Sequence, residues 1–312
     1  MVSNTNITYI IIVTYNAIPW LQKCLESCAG YPILIIDNNS QDGTVAYIKE
    51  KFPDVHLLSQ NKNLGFGQAN NIGMRYALDH KADYVYLLNQ DAYLEENTIQ
   101  LMIAAHQKNR EYGVLSPIHT NAEKNRLDLR FSNYLQYKRN KDFYSDFVLD
   151  NPKKSIYNVP FVNAAGWLLS KECLMTVGGF DPIFFHYSED NNYCHRVQYH
   201  GLKIGVVPNT TMVHDREEKQ KRNSSKYSEE YYNFFTRQLK TKYANINVDN
   251  CKALQKLIAK RKKERFKHII KGQTKQAKHK KREVQIMETV FKEVQKSRAQ
   301  TKIKGPTYLR DY

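Results

Sequence analysis

The chain has 312 residues, 41% of them hydrophobic, and a formal net charge of +16. That is enough apolar material for a sizeable buried core, and it excludes a disordered or low-complexity polymer. The charge is unevenly placed: 19 Lys+Arg stand against 21 Asp+Glu up to Asp215, giving −2, and 28 against 10 from Arg216 onward, giving +18. The expectation is therefore a near-neutral domain over 1–215 and a basic, helical extension over 216–312, rich in Lys, Gln and Glu. Five cysteines, an odd number without framework spacing, point to a reducing compartment. The N-terminus has neither a basic flank nor a small-residue cleavage site, and the apolar run Thr8 to Val13 is too short to span a bilayer. A cytoplasmic location is expected, and no internal repeat is evident.

Ile7 to Val13 is a continuous β-branched run ending in Thr14-Tyr15-Asn16, and Ile33 to Ile36 ends in Asp37-Asn38-Asn39-Ser40-Gln41-Asp42-Gly43-Thr44. Both read as buried parallel strands with polar carboxyl ends. Between them, Pro19 to Cys28 has helical spacing, with Trp20, Leu21, Cys24, Leu25 and Cys28 on one side. Cys24 and Cys28 are read as core thiols. Asp37 accepts hydrogen bonds only, and the N3–H of uracil or thymine is a donor, so this position favours a pyrimidine. The same Asp-x-x-Ser and Asp-Gly chemistry also suits a plain turn.

Asn63 to Gly73 has glycines at 65, 67 and 73, which allow close backbone approach at a helix start. It is not a dinucleotide fingerprint, because Asn70 stands at the third glycine position and the block follows the third strand rather than the first. Gln68 to Tyr76 suits an amphipathic helix packing Ala69 and Ile72 inward. Tyr84 to Asp91 is an apolar run ending in two oxygen-bearing side chains two residues apart. On a strand Asn89 and Asp91 share a face, and their oxygens suit Mg²⁺ or Mn²⁺ with positions left open for phosphate. An ordinary turn or helix cap explains the same pattern. In parallel sheets ligands sit outside the carboxyl ends of the strands, where Asn16, Asp37 and Asp91 all fall.

Asn121 to Tyr157 is charged and aromatic; a hairpin insertion is the expectation. Pro160 to Leu169 reads as a strand whose small residues near its middle leave room against Trp167. Gly178 to Pro182 is a turn, and Ser188-Glu189-Asp190 opens a helix that Ser188 caps and whose dipole both acids complement. Arg196, on that helix, is expected to partner an acid. His214 follows a short apolar run; taken alone it suits a structural or exposed histidine. In the extension, Tyr231, Tyr232, Phe234 and Phe235 with Arg237 precede Lys260-Arg261-Lys262-Lys263 and the run Lys278 to Arg282. Basic amphipathic helices suit an anionic bilayer, a nucleic acid or simple solvation.

Taken together, Val13-Thr14-Tyr15-Asn16, Asp37 to Thr44, Asn63 to Gly73, Asn89-Gln90-Asp91 and Ser188-Glu189-Asp190 resemble the family 2 glycosyltransferases in order and spacing, over roughly residues 7 to 215. The third block is most similar to bacterial enzymes that extend surface polysaccharides, many of them rhamnosyltransferases. The resemblance implies an α/β GT-A fold: a Rossmann-like, mostly parallel sheet with flanking helices, with 1–118 as nucleotide-binding half and 119–215 as acceptor half. It places Thr14, Tyr15, Asn16, Asp37, Asn39, Asn63, Gly65, Asn70, Asn89, Gln90, Asp91 and Trp167 around the donor. It makes Asp91 the principal ligand of Mg²⁺ or Mn²⁺, with Asn89 and His214 completing the shell. Asp190 becomes the catalytic base and Glu189 orients the acceptor. The family's usual Asp-x-Asp is departed from at Asn89, which lowers the negative charge offered to the cation from two to one; Asn89 is also placed to hydrogen-bond the ribose.

The implied reaction is inverting transfer from dTDP-rhamnose or a UDP-hexose to a hydroxyl of a growing, lipid-linked surface glycan. That acceptor and the basic extension suit a peripheral place at the inner face of the cell membrane. Two alternatives stand beside this reading. A nucleotidyltransferase would use the same rim but normally needs a glycine-rich, basic phosphate loop, which Thr14 to Trp20 lacks. A nucleic-acid-binding protein would act through the extension.

Overall fold

A computed structural model of the chain describes residues 6–216 and 225–309. The described residues fall into two compact units, one holding everything up to Arg216 together with 304–309, the other ending at Ile303. The last described residues thus group with the first unit rather than with the helices before them. Of the basic extension, 217–224 and 310–312 lie outside the described residues.

The first unit begins with alternating strands and helices: β1 (Thr8–Thr14), α1 (Ile18–Glu26), β2 (Ile33–Asp37), α2 (Thr44–Lys51), β3 (His56–Ser59), α3 (Phe66–Asp79) and β4 (Tyr84–Asn89). The β-branched residues of β1 and β2 are buried on both faces, as parallel strands covered by helices require. Register fixes what matters most. Thr14 pairs with Asp37 and Val13 with Asn89, so the last residues of β1, β2 and β4 end level on one rim. Helix α1 packs Leu21, Cys24 and Leu25 inward, with Cys28 buried just beyond its end.

There follow β5 (Ala92–Leu94), α4 (Thr98–Lys108), β6 (Tyr112–Thr120), α5 (Leu129–Tyr134), α6 (Lys141–Val148), β7 (Tyr157–Asn158), β8 (Gly166–Ser170), α7 (Lys171–Val177), α8 (Glu189–Tyr199) and β9 (Lys203–His214). All nine strands join one sheet of order β3-β2-β1-β4-β8-β6-β9-β5, with β7 on β9. The strand foreseen over 160–169 is confined to β8; residues 160–165 are irregular. The hairpin foreseen over 121–157 is instead a bridge between Thr120 and Leu127, the two short helices α5 and α6, and β7. Asp128 supplies the reason at its start, since its carboxylate accepts from Phe131 N and so initiates a helix rather than a strand.

Two cores lie on opposite faces of the sheet. Trp167 belongs to one of them: it is fully buried and packs on Phe180 and Tyr193. Arg196 is fully buried too, but its guanidinium donates to the carbonyls of Val177 and Gly179 and to Asn192 Oδ1, not to an acid. It thereby ties α8 to the turn after α7.

The second unit contains α9 (Glu229–Tyr243), α10 (Cys251–Ile270) and α11 (Thr274–Thr301). Helices α10 and α11 are in contact; Leu254 and Ile258 are buried on the first, and on the second a buried stripe of Val284, Met287, Val290 and Val294 recurs at the three- and four-residue spacing of a helical core face. Arg298 is buried and donates to the carbonyls of Tyr243, Asn245 and Val248, closing the end of α9. Glu283, also buried, accepts from Tyr231 Oη and Lys280 Nζ.

Candidate active site

The rim at the carboxyl ends of β1, β2 and β4 is held by reciprocal side-chain bonds. Gln90 Oε1 accepts from Tyr15 N at 2.7 Å and Gln90 Nε2 donates to Tyr15 O at 3.3 Å, which clamps the loop after β1 to the loop after β4. Asn16, at φ 53°, receives the amide of Gln41 on its Oδ1, and Asn39, at φ 66°, accepts from Gln41 Nε2. Both are left-handed turn residues, a conformation that asparagine tolerates better than most. Tyr15 stays exposed beside them. Asp37 is buried, and its carboxylate accepts from Thr14 Oγ1 at 2.8 Å, Ser40 Oγ at 2.5 Å and Ser40 N at 3.0 Å. The turn chemistry of the Asp-x-x-Ser pattern is realised, and Thr14 and Asp37 act first as partners of each other.

Antiparallel pairing of β5 with β9 sets Ala92 opposite His214, and this places His214 over the end of β4. His214 Nε2 lies 3.4 Å from Asp91 Oδ1 and 3.5 Å from the Asn89 amide nitrogen. Three residues far apart in sequence thus converge on one point. The donor set suits a hard divalent cation: a carboxylate, an imidazole nitrogen and, with the Asn89 amide turned over, a carbonyl oxygen. Among the described residues no three His, Cys, Asp or Glu side chains group to hold an ion by themselves, so the third donor here is the neutral amide. Behind the imidazole, His214 Nδ1 is buried without a hydrogen-bond partner and faces Asp128 Oδ2 at 3.8 Å. A carboxylate behind a ligating histidine fixes the tautomer that turns the other nitrogen's lone pair forward.

Asp128 was not foreseen, nor was its partner Arg216, whose guanidinium grips both carboxylate oxygens at 2.5 and 2.9 Å. His119 completes this group, stacked on Phe131 and bonded to Ser116, with burial holding its imidazole neutral, well below the usual range. A sequence signal existed only for Asp128, as a helix-capping aspartate. The pairing with Arg216 spans 88 positions and has no local signature.

Asp190 stands in the first turn of α8, half-buried, with Asn191 N donating to its Oδ1 at 2.7 Å. Burial pushes its carboxyl up to about 6, against the lowering effect of backbone N–H groups and of Arg130. Tyr134 and Arg130, both from α5, face it electrostatically. Glu189 sits deeper and is buried. The expected cap by Ser188 is absent: at φ 74° this residue is left-handed, as Tyr187 is at φ 67°, and its hydroxyl makes no capping bond. Two successive non-glycine residues in this region lift Glu189-Asp190 onto the helix at a strained corner.

The Asn63–Gly73 block meets this corner from the other side. Gly65, at φ 80°, lies so close to the Phe185 carbonyl that an added Cβ would stand 1.9 Å from its oxygen. Asn63 Oδ1 accepts from Gly65 N, Asn70 Nδ2 donates to the Phe66 carbonyl, and Asn71 exchanges two bonds with Phe180. Gly65, Asn70 and Trp167, expected around the donor, are all buried in protein, and the glycines let one loop pack on another. Asn38 reinforces this, donating to Gly65 O and accepting from Leu64 N.

Residues 9–177 match the family model described as "Glycosyl transferase family 2", more than half of the chain. The chain belongs to glycosyltransferase family 2. Similar curated proteins include the dTDP-rhamnosyl transferase RfbF of Shigella flexneri, 27% identical over 68% of this chain and 69% of that one. They also include the N-acetylglucosaminyl-diphospho-decaprenol L-rhamnosyltransferase of Mycobacterium tuberculosis, 26% identical over 68% and 77%. Among solved structures, the mannosyltransferase PcManGT of Pyrobaculum calidifontis, in complex with GDP-Man and Mn²⁺, aligns with a TM-score of 0.51 at 19% identity. This alignment covers 78% of this chain and spans 64% of the PcManGT chain. At that identity the likeness concerns the GT-A fold.

Proposed function

We propose that this family 2 glycosyltransferase moves a sugar, with inversion, from a dTDP-rhamnose or UDP-hexose donor to a hydroxyl of a lipid-linked surface glycan. The observation that carries the reading is the meeting of Asn89, Asp91 and His214 on the rim where Thr14, Tyr15, Asn16 and Asp37 also end. Exposed Tyr15 offers a face for a flat base, and Asn16, Asn39 and Gln90 line the same turn cluster. Asn63, half-buried at the neighbouring loop, stays within the donor set of this reading. Mg²⁺ or Mn²⁺ held by Asp91, Asn89 and His214 supplies positive charge at the departing diphosphate. Asp190 removes the acceptor hydroxyl's proton as the oxygen attacks the anomeric carbon, and Glu189 orients the acceptor.

The rhamnosyltransferase names of the similar curated proteins support dTDP-rhamnose first among donors and, for one of them, a diphospho-polyprenol acceptor. Among the described residues no helix is long and apolar enough to cross a membrane. A lipid-linked acceptor then calls for surface attachment, and the basic extension suits an anionic leaflet. The test is a thermal-shift and calorimetric screen of dTDP-rhamnose, UDP-glucose, UDP-N-acetylglucosamine and GDP-mannose with and without Mn²⁺. A pyrimidine nucleotide sugar should raise the unfolding temperature, more so with the cation. A chain that responds to none of them, or equally without metal, refutes the donor assignment.

A further inference from the structure

The end of the α10–α11 hairpin combines two features that an ordinary solvated helix does not need. Phe266, Ile269 and Ile270 are 63%, 51% and 70% exposed. Spaced three and four residues apart, they share one helical face at the end of α10. Around them, residues 265–282 contain eight Lys or Arg and no Asp or Glu. Farther along α11 two of the cations are paired, Lys280 with Glu264 and Glu283 and Arg282 with Glu229. Nearer the turn, Lys267, Lys271 and Lys275 are exposed and form no ion pair among the described residues.

The turn itself is closed. Gly272, at φ 64°, and Gln273 donate their amides to the carbonyls of Ile269 and His268, and the His268 ring is bonded to Gln273 Oε1. Its backbone can therefore approach a poorly hydrating surface with these donors already satisfied.

We propose that this hairpin end is a membrane-docking tip, in which Phe266, Ile269 and Ile270 enter the headgroup boundary of an anionic bilayer while Lys267, Lys271 and Lys275 meet its phosphates. Charge complementarity selects the partner, because a surface with cations and no acids favours an anionic one. The apolar trio selects between anionic partners. A bilayer interface takes up aliphatic and aromatic side chains beside long basic ones, whereas nucleic acid offers no comparable place for two isoleucines on a helix face. The inference deepens the membrane-surface part of the reading above and rests on it; it requires neither the donor nor the catalytic assignments.

The experiment uses the full chain with vesicles of phosphatidylcholine alone and of phosphatidylcholine with phosphatidylglycerol, at low and high salt. Three proteins are compared: the parent, Phe266→Ser/Ile269→Ser/Ile270→Ser, and Lys267→Gln/Lys271→Gln/Lys275→Gln. All six side chains are exposed, and circular dichroism checks that the helices persist. The parent should prefer anionic vesicles by at least about tenfold, since each cation near such a surface contributes roughly fivefold. The serine variant should lose about tenfold or more at both salt levels, and the glutamine variant should lose its preference for the anionic lipid. Sugar transfer to a soluble acceptor, measured in parallel, should be equal in all three, so that failure of the catalytic reading shows there and not in sedimentation. Parent-like sedimentation of the serine variant overturns the proposal. So does binding to duplex nucleic acid that is tighter than binding to anionic vesicles and unaffected by the serine substitutions.

Discussion

Asp190→Asn separates chemistry from stability, and the two should move in opposite directions. The carboxyl titrates near 6 in the folded chain because burial disfavours its charge, against an ordinary value of 3.8. A carboxyl raised on folding binds its proton more tightly in the native state. It therefore contributes stability below about pH 4, loses it progressively as pH rises through 6, and leaves a constant cost above that. About two units correspond to a cost on the order of 3 kcal/mol at neutral pH. The amide is neutral at every pH and nearly the same size. Asp190→Asn should thus unfold at a higher temperature than the parent at pH 7.5 and lose that advantage by pH 4.

The same substitution removes the proposed base, so turnover should fall by roughly 10² to 10⁴ with donor affinity unchanged. In the parent, log kcat/KM should rise with unit slope below pH 6 and flatten above, leaving about a tenth of the maximum at pH 5. Arg130 favours the charged form of Asp190, so Arg130→Ala should move the midpoint upward. The assays are initial-rate transfer across pH and differential scanning calorimetry. A flat profile between pH 5 and 7.5, an unmoved midpoint in Arg130→Ala, or an Asn variant retaining most turnover refutes the reasoning.

Asp91→Ala should weaken Mn²⁺-dependent binding of UDP or dTDP more than Asn89→Ala, because an anion interacts more strongly with a dication than a neutral amide does; calorimetry showing equal losses counts against Asp91 as chief ligand. Asp128→Asn should lower Mn²⁺ affinity by about tenfold, as loss of a carboxylate behind a ligating histidine does, and an unchanged affinity in a metal titration removes that role. Trp167→Ala should cost about 3 to 5 kcal/mol in urea unfolding, the penalty of a buried aromatic; loss of donor affinity without loss of stability would show a ligand contact instead of a packing role. Gly65→Ala should be destabilising and inactive, since the new Cβ meets the Phe185 carbonyl and φ is 80°; near-normal melting would show that the loop yields freely.

What the sequence made legible was whatever depends on neighbours along the chain. The apolar runs of β1, β2 and β4 and their polar ends gave the rim, because burial on both faces writes itself into consecutive residues. Resemblance then added His214, which pairing of Ala92 with His214 carries to Asp91. Illegible was whatever depends on which surfaces meet. Glycines at 65 and 67 announced a close approach but not its object, and within the protein that object is the Phe185 carbonyl for one and Phe180 for the other. Small residues before Trp167 suggested space, yet the indole fills the core between Phe180 and Tyr193. Arg196 carried the charge expected of an ion pair, but backbone carbonyls satisfied it.

Part of this packing bears on the site. Three residues brace the corner that holds Asp190: Gly65 against the Phe185 carbonyl, Asn71 on Phe180, and Arg196 on Val177 and Gly179. That corner contains two left-handed residues, Tyr187 and Ser188, and ends in a carboxylate whose charge burial opposes. Strain of this kind, roughly 1 to 3 kcal/mol for each such residue, persists only where the surroundings over-determine it. This packing holds the strained corner from which Asp190, the proposed base, projects. Loosening it at Gly65 or Arg196 should therefore lower turnover even where donor affinity survives.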